Sequence, residues 1–385
     1  MRRDRFATDV AVIGGGPAGC AAALTLLRYS SLSVVVLERS GYASFRIGES
    51  LGPGVRPLLA YLGAEDCLAR SVHLPAYGTA AAWGSSQLIT RDFLFTAQGQ
   101  GWHLDRLRFD RQMAGLVRSR GGRLLGHSWV EDETRTSAGG WLLKIHRNGK
   151  QESLGARFVI DAAGRDAVFA RRQGGRLQAF DRLVGIAGIC KSPGSSSQNA
   201  STVVEATPNG WWYSAPLPRR RTLAVFMSDA DLVRCRQREQ LAQWNRMLAA
   251  SLHTRRLLSG RELISPLQIF AASSQLLSPS GGEGWLAAGE AAAAFDPLSS
   301  GGVGHALLSG IEAARATAAY IEGDDTLANL YAASISRHFQ EWWQIRQGYY
   351  ALEQRWPARR FWSRRHNDSE SALPGSGKAA AAGRP

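Results

Sequence analysis

The sequence predicts an α/β fold in which a parallel sheet with helices is interleaved with a second, mainly antiparallel sheet and is followed by C-terminal helices. Three observations predict it. A β-branched run at 9–13, a glycine-rich turn and a run of small residues as far as Tyr29 have the order strand–turn–helix. Strand patterns recur between 183 and 227. Long helical patterns occupy 304–322 and 327–353.

The segments between these landmarks are short, and each is bounded by turn residues. Their patterns predict the remaining elements of both sheets and the helices that connect them. In chain order these are a strand at 34–37, a helix at 55–62, short strands across 78–149 with one helix at 109–120, a returning strand at 158–161, a helical segment at 231–258 and a strand at 284–289.

Composition places the chain among globular proteins. It has 385 residues, 44% hydrophobic and 20% charged, which excludes a disordered chain, a collagen-like repeat and a coiled coil. The formal net charge is +14, yet only four of the 46 basic residues are lysines. The arginines are scattered, which favours the codon bias of a GC-rich gene over a nucleic-acid surface. We therefore predict no nucleic-acid partner.

The cysteine and hydropathy patterns bear on disulfide bonds, metal sites, cellular location and membrane spans. Its four cysteines include no CxxC pair, and no His/Cys cluster has metal-ligand spacing, so neither a disulfide framework nor a metal site is expected. The scarcity of cysteine predicts a cytoplasmic location. No uninterrupted apolar stretch reaches the length of a membrane span. The Ser/Gly/Ala/Pro-rich tail at 367–385 is predicted to be disordered.

The strongest chemical signal is the glycine pattern near the start of the chain. Gly14, Gly16 and Gly19 have the spacing GxGxxG, directly after a strand and at the start of a helix. Ala18 lies inside this pattern and is predicted, with the three glycines, to bind the cofactor. Gly14 permits a tight turn, Gly16 lets a phosphate approach the backbone, and Gly19 lets the helix pack on the strand. Because a helix N-terminus offers free N–H groups to a pyrophosphate, the pattern predicts a dinucleotide site.

An acid nineteen residues beyond Gly19 supports this interpretation. Glu38 ends the second strand and is followed by Arg39, and both are predicted to bind the cofactor. An acid at this point accepts hydrogen bonds from ribose hydroxyls. The pattern by itself does not separate FAD from NAD.

Two later segments bear on that choice. The segment at 158–165 joins a strand to the motif DxxGR, and 284–302 joins a strand to an acidic turn, an Asp–Pro pair and two glycines. Both resemble segments of FAD-dependent monooxygenases, halogenases and geranylgeranyl reductases. The resemblance covers residues 7 to about 350 and implies FAD in a glutathione-reductase-type Rossmann domain. In these two segments it assigns to FAD binding Asp161, Gly164, Gly289, Glu290, Asp296, Pro297, Gly301 and Gly302.

Further details follow from the same resemblance. Glu290 stands where the family has aspartate, so its contact with the ribityl hydroxyls would be one methylene longer. The glycines at 301 and 302 would bring a helix N-terminus to the isoalloxazine, where N–H groups stabilise negative charge on reduced flavin. The segments at 47–51 and 101–110 resemble parts of the family that lie beside the flavin. They imply four more FAD-binding residues, Gly48, Glu49, Ser50 and Arg106.

The resemblance also implies a domain organisation. A discontinuous FAD-binding domain would occupy 7–182 and 260–322, with residues of about 75–105 contributing to the substrate side. The substrate-domain sheet and helix would occupy 183–259, and C-terminal helices 323–366.

Three reactions share this scaffold in the family. A hydroxylase forms a flavin C4a-hydroperoxide from O2, a halogenase passes hypohalous acid to a lysine, and a geranylgeranyl reductase delivers hydride to an alkene. The relay lysine falls a few tens of residues after the segment at 48–50. Here the first lysine is Lys144, and the matching stretch at 73–80 contains none. Arginine lacks the primary amine, so hydroxylation is predicted over halogenation.

The tryptophan-bearing segments at 77–85, 101–106 and 210–213 resemble a halogenase-related subgroup, the flavoprotein maturases of quinone-cofactor enzymes. These hydroxylate a tryptophan side chain of a partner protein. The resemblance implies a protein or peptide substrate, namely a quinone-dependent oxidase precursor, and FAD reduced by NAD(P)H directly or by a partner flavin reductase. Three alternatives stay open: a small-molecule aromatic hydroxylase, a flavin-dependent halogenase, and a non-catalytic flavin-binding chaperone.

Proton transfer and substrate stacking have their own candidates. The catalytic candidates are His73, His103 and Glu49, because a histidine with a pKa near neutrality can take an indole proton and a carboxyl can pass one on. The candidates for stacking on an aromatic substrate are Trp83, Trp102, Trp211 and Trp212.

Overall fold

The computed structural model describes residues 5–68, 72–93, 99–191 and 201–367. The predicted disorder of the tail therefore concerns residues outside the described ones, apart from residue 367. The strands are β1 (Arg5–Ile13), β2 (Val34–Glu38), β3 (Ser50–Leu51), β4 (Leu74–Ala76), β5 (Gly78–Ala82), β6 (Ile89–Asp92), β7 (Gly101–His103), β8 (Arg123–Gly126), β9 (Ser128–Arg135), β10 (Trp141–Arg147), β11 (Lys150–Asp161), β12 (Arg176–Ala179), β13 (Leu183–Lys191), β14 (Ser201–Thr207), β15 (Gly210–Leu217), β16 (Arg221–Asp229), β17 (Glu262–Leu263), β18 (Gln268–Ala271), β19 (Gln275–Ser278), β20 (Gly281–Gly282), β21 (Trp285–Ala287) and β22 (Ala293–Ala294).

Helices follow the strands in both halves of the chain and dominate its C-terminal part. Among the residues that the structure describes, none of them is long and apolar enough to cross a membrane. The α-helices are α1 (Pro17–Tyr29), α2 (Arg56–Leu62), α3 (Arg106–Ser119), α4 (Val168–Arg172), α5 (Gln240–Ala249), α6 (His253–Leu258), α7 (Gly302–Ile321), α8 (Thr326–Ala351) and α9 (Arg360–Asn367).

The first large sheet is mainly parallel and has the strand order β20-β21-β11-β1-β2-β8. Its central strand β1 runs parallel to both neighbours, with Val12 opposite Val36 on β2 and Ile160 on β11. All five residues of β2 are buried, as expected for a parallel strand whose two faces are covered. The parallel sheet predicted from the N-terminal strand–turn–helix pattern is confirmed.

The second large sheet has the order β17-β13-β16-β15-β14-β5-β6 and is antiparallel except where β5 meets β14. Its strand β15 is buried over its whole length because both faces are covered. Trp211 packs on one side with Tyr350 and Trp362, and Trp212 packs on the other side with Trp244. The predicted antiparallel sheet is confirmed. It includes β5 and β6, which precede parts of the first sheet in the chain, so the two sheets are interleaved.

The predicted helical segment at 231–258 is wrong in its extent. The structure has two helices there, and α5 begins only at Gln240. The buried carboxylate of Glu205 explains the break before the second helix. It accepts hydrogen bonds from the backbone N–H groups of Leu252 (2.6 Å) and Thr254 (2.7 Å), which caps the first turn of α6. A cap supplied by a distant strand leaves no local pattern in the sequence.

Small residues let α1 and α7 approach closely. A Cβ at Gly310 on α7 would lie 2.3 Å from the carbonyl oxygen of Ala18 and 3.1 Å from the Cβ of Ala21. Only glycine fits at that crossing. The two helices that begin at the glycine-rich segments are thereby packed against each other.

A buried ion network attaches α8 to the turn that precedes α7. The Asp296 carboxylate accepts hydrogen bonds from Arg346 Nε (3.0 Å) and from the Tyr350 hydroxyl (2.8 Å). Arg346 also pairs with Asp181 at 3.2 Å, and all of these charged side chains are almost fully buried. Buried charges in such a network are costly to leave without partners.

We expect Arg346→Ala to lower the free energy of unfolding by about 3–5 kcal/mol, because it leaves two buried carboxylates without their counter-ion. Lys144→Ala is the matched control. Lys144 pairs with Asp132 at 2.7 Å on the surface, and its loss is expected to cost less than about 1 kcal/mol. Urea denaturation of both variants measures the difference. Equal losses would contradict the structural role given to Arg346.

His305 introduces a pH dependence into the first turn of α7. Its ring stands edge-on to Phe295, with centroids 4.4 Å apart, and its Nε2 has no hydrogen-bond partner among the described residues. Burial, with a smaller contribution from His338, lowers its pKa to about 4. The unfolded chain therefore takes up this proton at a higher pH than the folded chain does. The contribution of neutral His305 to the free energy of unfolding is complete above pH ~6.5 and decreases as the pH falls toward the folded-state pKa.

We expect the free energy of unfolding to fall between pH 7.5 and pH 5, with His305 accounting for on the order of 2 kcal/mol. His305→Gln removes this titration, so its loss over the same window should be smaller. His127→Asn is the control, because His127 is exposed at a left-handed backbone position. Denaturation at the two pH values tests this. If wild type and His305→Gln lose the same free energy of unfolding between the two pH values, His305 is not the cause of the pH dependence.

Candidate functional site

The glycine pattern forms the turn between β1 and α1. Gly14 has φ +106°, and its N–H donates to the Leu37 carbonyl (2.7 Å). α1 begins at Pro17, and no side chain caps the N–H groups that follow Gly16. A Cβ at Gly16 would meet only the Arg46 guanidinium, at 3.9 Å. These N–H groups therefore border open space beside a cation, which suits an anion.

An ionised acid borders this turn. Glu38 is buried, and its Oε2 accepts a hydrogen bond from the Gly15 N–H (2.7 Å). Burial raises the pKa of Glu38, but hydrogen bonds from Ser40 and Gly15 and the charge of Arg46 outweigh it, so the pKa is lowered. The neighbouring Arg39 is exposed.

Arg46 is a candidate that the sequence patterns missed. Its guanidinium pairs with Glu38 (3.1 Å) and with Asp110 (3.4 Å), which holds it beside the turn at Gly16. A signal was available, because this arginine lies in the loop after β2, two residues before Gly48.

The second predicted segment supplies a buried acid and an open turn. Asp161 ends β11 and is fully buried, and it accepts hydrogen bonds from the N–H groups of Ala163 (3.0 Å) and Ala170 (2.8 Å). Its carboxylate therefore holds the turn together and does not face open space. Gly164 has φ +77°, and a Cβ there would meet no atom within 4 Å.

Gly289 brings the third segment against the first. It has φ +63°, and a Cβ there would lie 2.7 Å from the Cβ of Ala18. Its N–H donates to Ser309 on α7 (2.9 Å). The next residue, Glu290, is exposed and pairs with Arg165 of the second segment at 3.3 Å. Three segments that are far apart in sequence thus meet around the start of α1.

A second uncapped helix N-terminus lies at the end of the third segment. No side chain caps α7 after Gly301, and a Cβ at Gly302 would meet no atom within 4 Å. The buried Asp296 accepts a hydrogen bond from the Leu298 N–H (2.9 Å), which shapes the turn at Pro297. The N–H groups of α7 are therefore available to negative charge.

Arg106 fixes the segment at 47–51. It donates to the carbonyl oxygens of Ile47 (2.7 Å) and Gly48 (3.3 Å), and it pairs with Asp110 at 3.2 Å. A Cβ at Gly48 would lie 3.9 Å from Val303, in the first turn of α7. The segment therefore lies against the uncapped end of that helix.

A buried chain of hydrogen bonds runs from this segment into the second sheet. Glu49 is hydrogen-bonded to the Tyr213 hydroxyl on β15. The same hydroxyl lies 2.8 Å from Ser50 Oγ, which in turn lies 3.0 Å from Thr202 Oγ1. Burial raises the pKa of Glu49, and burial together with Glu49 raises the pKa of Tyr213. These groups can hold a proton in a site closed to bulk water.

Tyr213 was not predicted, although the sequence contained a signal for it. Alternation along β15 places it on the same face as Trp211, which was a candidate. The carboxyl partner, Glu49, is 164 residues away in sequence. Only the register of the sheet brings the two together.

His73 is held as a neutral imidazole. Its Nδ1 accepts a hydrogen bond from the Asp105 N–H (3.0 Å), so its Nε2 is the donor to the Cys67 carbonyl (2.9 Å). Burial is the largest influence on its pKa, which is lowered. His103 is fully buried on β7, opposite Ser50 on β3. Neither ring faces open space.

The four tryptophan candidates differ in exposure. Trp102, Trp211 and Trp212 are all buried, and Trp211 donates to the Tyr350 hydroxyl (3.0 Å). Trp83 is partly exposed, and its Nε1 donates to the Tyr349 carbonyl (2.7 Å). The structure thus brings Trp83 and Trp211 into edge-to-face contact and places Trp212 on the opposite face of the sheet.

The donor set fits FAD. Two uncapped helix N-termini, glycines with open space above them, an ionised acid and an adjacent arginine provide for phosphates, ribose hydroxyls and a flavin that becomes negatively charged. Within the described residues, no group of three or more His, Cys, Asp or Glu side chains could hold a metal ion.

Comparison with known proteins agrees with this site. A profile of the family described as tryptophan halogenase matches residues 9–83 and 80–374. LodB of Marinomonas mediterranea, described as an FAD-dependent oxidoreductase, is 30% identical over 93% of this chain and 96% of its own. The tryptophan 2-halogenase of Chondromyces crocatus is 27% identical over 90% of this chain and 69% of its own.

Solved structures share the fold. The myxobacterial chondrochloren halogenase CndH has a TM-score of 0.86 at 22% identity and covers 96% of this chain and 87% of its own. The peptidyl tryptophan dihydroxylase QhpG, essential for tryptophylquinone cofactor biogenesis, has a TM-score of 0.74 at 25% identity over 93% of this chain and 78% of its own. The predicted resemblance and the predicted FAD cofactor are confirmed. The chain belongs to the tryptophan halogenase family and is an FAD-dependent oxidoreductase.

Proposed function

We propose that this enzyme is a monooxygenase that hydroxylates a tryptophan side chain of a partner protein during quinone cofactor maturation. The observation that carries the proposal is that the candidate site has no lysine among the described residues. The likeness to QhpG supports a protein-bound tryptophan as the substrate.

The described lysines lie elsewhere and are exposed. Lys144 pairs with Asp132, Lys150 begins β11, and Lys191 ends β13. In the stretch at 73–80, where the family carries its relay lysine, Gly78 has no space for a side chain, since a Cβ would lie 2.6 Å from the Arg91 carbonyl oxygen. Without a primary amine at the site, no residue can carry the halogen to an indole.

The residues of the site divide the work of holding FAD. The N-terminus of α1 at Gly16 binds the pyrophosphate beside Arg46, and Glu38 accepts from the ribose hydroxyls. The N-terminus of α7 at Gly302 stabilises negative charge on the flavin ring, and Arg106 fixes the adjacent loop. Bound FAD, reduced by NAD(P)H or by a partner flavin reductase, supplies the electrons that activate O2 for transfer to the substrate.

Glu49 and Tyr213 handle the proton. Their hydrogen-bonded pair is buried between the loop at 47–51 and β15, which shields it from bulk water, and that loop lies against the N-terminus of α7, where the flavin ring would bind. His73 and His103 serve the structure instead, since His73 has both ring nitrogens engaged by backbone groups and His103 is fully buried on β7, between β3 and β4.

Halogenation is the second candidate, because several relatives are halogenases, among them the tryptophan 2-halogenase. One assay separates the two. We expect the enzyme, with reduced FAD, O2 and chloride, to add one or two oxygen atoms to the precursor of a tryptophylquinone-containing oxidase, as measured by intact mass.

Free tryptophan is the parallel substrate and should remain unmodified. Incorporation of chlorine would establish the halogenase, and equal hydroxylation of free tryptophan would establish a small-molecule enzyme. Reduced flavin that is consumed without modification of any substrate would favour a flavin-binding chaperone.

The assigned proton pair predicts a shifted pH profile. The Tyr213 hydroxyl donates to Glu49 and lowers its pKa, so Tyr213→Phe should move the Glu49-dependent limb of the kcat profile to higher pH. Glu49→Gln should remove that limb and slow turnover by roughly 100-fold, a typical loss for a proton-transfer group.

Thr202→Val is the matched control, because Thr202 lies at the far end of the same hydrogen-bonded chain. It should leave the profile close to that of wild type. FAD affinity, measured by flavin fluorescence, should be similar in Tyr213→Phe and Thr202→Val. An unchanged pH profile in Tyr213→Phe would remove Glu49 from proton transfer.

A further inference from the structure

The turn between β15 and β16 presents three consecutive arginines in an unusual conformation. We name residues 219–221 the arginine tip. Arg219 has φ +64° and Arg220 has φ +57°, and both are exposed. This left-handed region favours glycine and asparagine in tight turns. The tip therefore presents bulky cations at positions where its own backbone would favour small residues.

Further cations surround the arginine tip. Lys191 pairs across the sheet with Arg221, and Arg261 donates to Thr222, the residue that follows the tip (2.9 Å). Two acids belong to the same group: Asp105, 3.8 Å from Arg221, and Glu262, opposite Lys191 on β17. Of these described residues five are basic and two are acidic, so the group carries a net positive charge.

A contact between Arg221 and Asp105 connects the arginine tip to the candidate site. Asp105, which pairs with Arg221, caps α3 by accepting from the Arg108 N–H (3.2 Å). The next residue, Arg106, holds the loop at 47–51. Along β15, Tyr213 lies four residues from Leu217, a distance of about 13 Å in a strand. A chain bound at the tip can therefore reach the site.

We propose that the arginine tip docks an acidic segment of the protein substrate and so orients it toward the flavin. This inference rests on the proposed function, since it gives the partner protein its point of attachment. Opposite charges speed encounter and fix orientation across an interface. A single-stranded nucleic acid is the weaker alternative, because residues 218–222 offer no aromatic ring for base stacking.

Binding is measured without flavin or turnover, by fluorescence anisotropy of the full-length protein. The probe is a fluorescein-labelled 16-residue peptide of alternating Glu and Ser with one central Trp. We expect binding at about 50 mM NaCl that weakens at about 300 mM, as for contacts between exposed charges. The double variant Arg219→Asn/Arg220→Gly should weaken it about tenfold or more.

That variant suits the left-handed backbone, so it should fold at least as well as wild type. The matched control is Arg236→Asn/Arg238→Gly, which removes two exposed arginines elsewhere in the same domain. The control should bind like wild type. Equal binding by both double variants, or equal weakening in both, would overturn the assignment of the arginine tip.

Two further arms separate the alternatives. A peptide with Lys in place of Glu should not bind, and a 16-nucleotide single-stranded DNA should bind no more tightly than the acidic peptide. Tighter binding of the DNA that depends on the arginine tip would overturn the proposal in favour of nucleic acid. Because the assay requires no reaction, lost hydroxylation with intact docking would count against the proposed function alone.

Discussion

The structure depends on one buried carboxylate, Asp296, which the Arg346 guanidinium neutralises and to which the Tyr350 hydroxyl donates a hydrogen bond. Arg346 and Tyr350 both come from α8, and both reach the turn from which α7 starts. Through Tyr350 the same contact extends to Trp211 on β15, the central part of the second sheet. The position of one helix N-terminus, and its relation to the substrate side, are therefore set by a charge that has no access to water.

The candidate site contains two different electrostatic environments. On one side, uncapped helix ends and arginines create a positive, partly open surface that suits phosphates and a negatively charged flavin. On the other side, Glu49 and Tyr213 share a closed environment in which ionisation is disfavoured. A redox cofactor and its proton pathway need these two conditions within one site, and the loop at 47–51 touches both.

Sequence patterns predicted what local rules determine. The turn at Gly14 and the strand that ends in Glu38 follow from spacing and periodicity, and the scarcity of lysine directed the choice between reactions. Contacts between residues far apart in the sequence were not predicted. Glu205, on a distant strand, caps the start of α6 inside a stretch predicted as one helical segment, and Tyr213 meets Glu49 only through sheet register. The burial of Trp211 and Trp212 was not predicted either, since β15 is covered on both faces, which a single sequence does not reveal.

The interleaving of the two sheets has a consequence for synthesis on the ribosome. β5 emerges early but pairs with β14, and β21 emerges late and completes the sheet built on β1. Neither sheet can close until most of the chain has left the ribosome, and long-range pairing of this kind slows folding. During that interval the edges of both sheets stay unpaired. The protein therefore has a long window in which chaperones, or an early-bound flavin, decide how much of it reaches the native state.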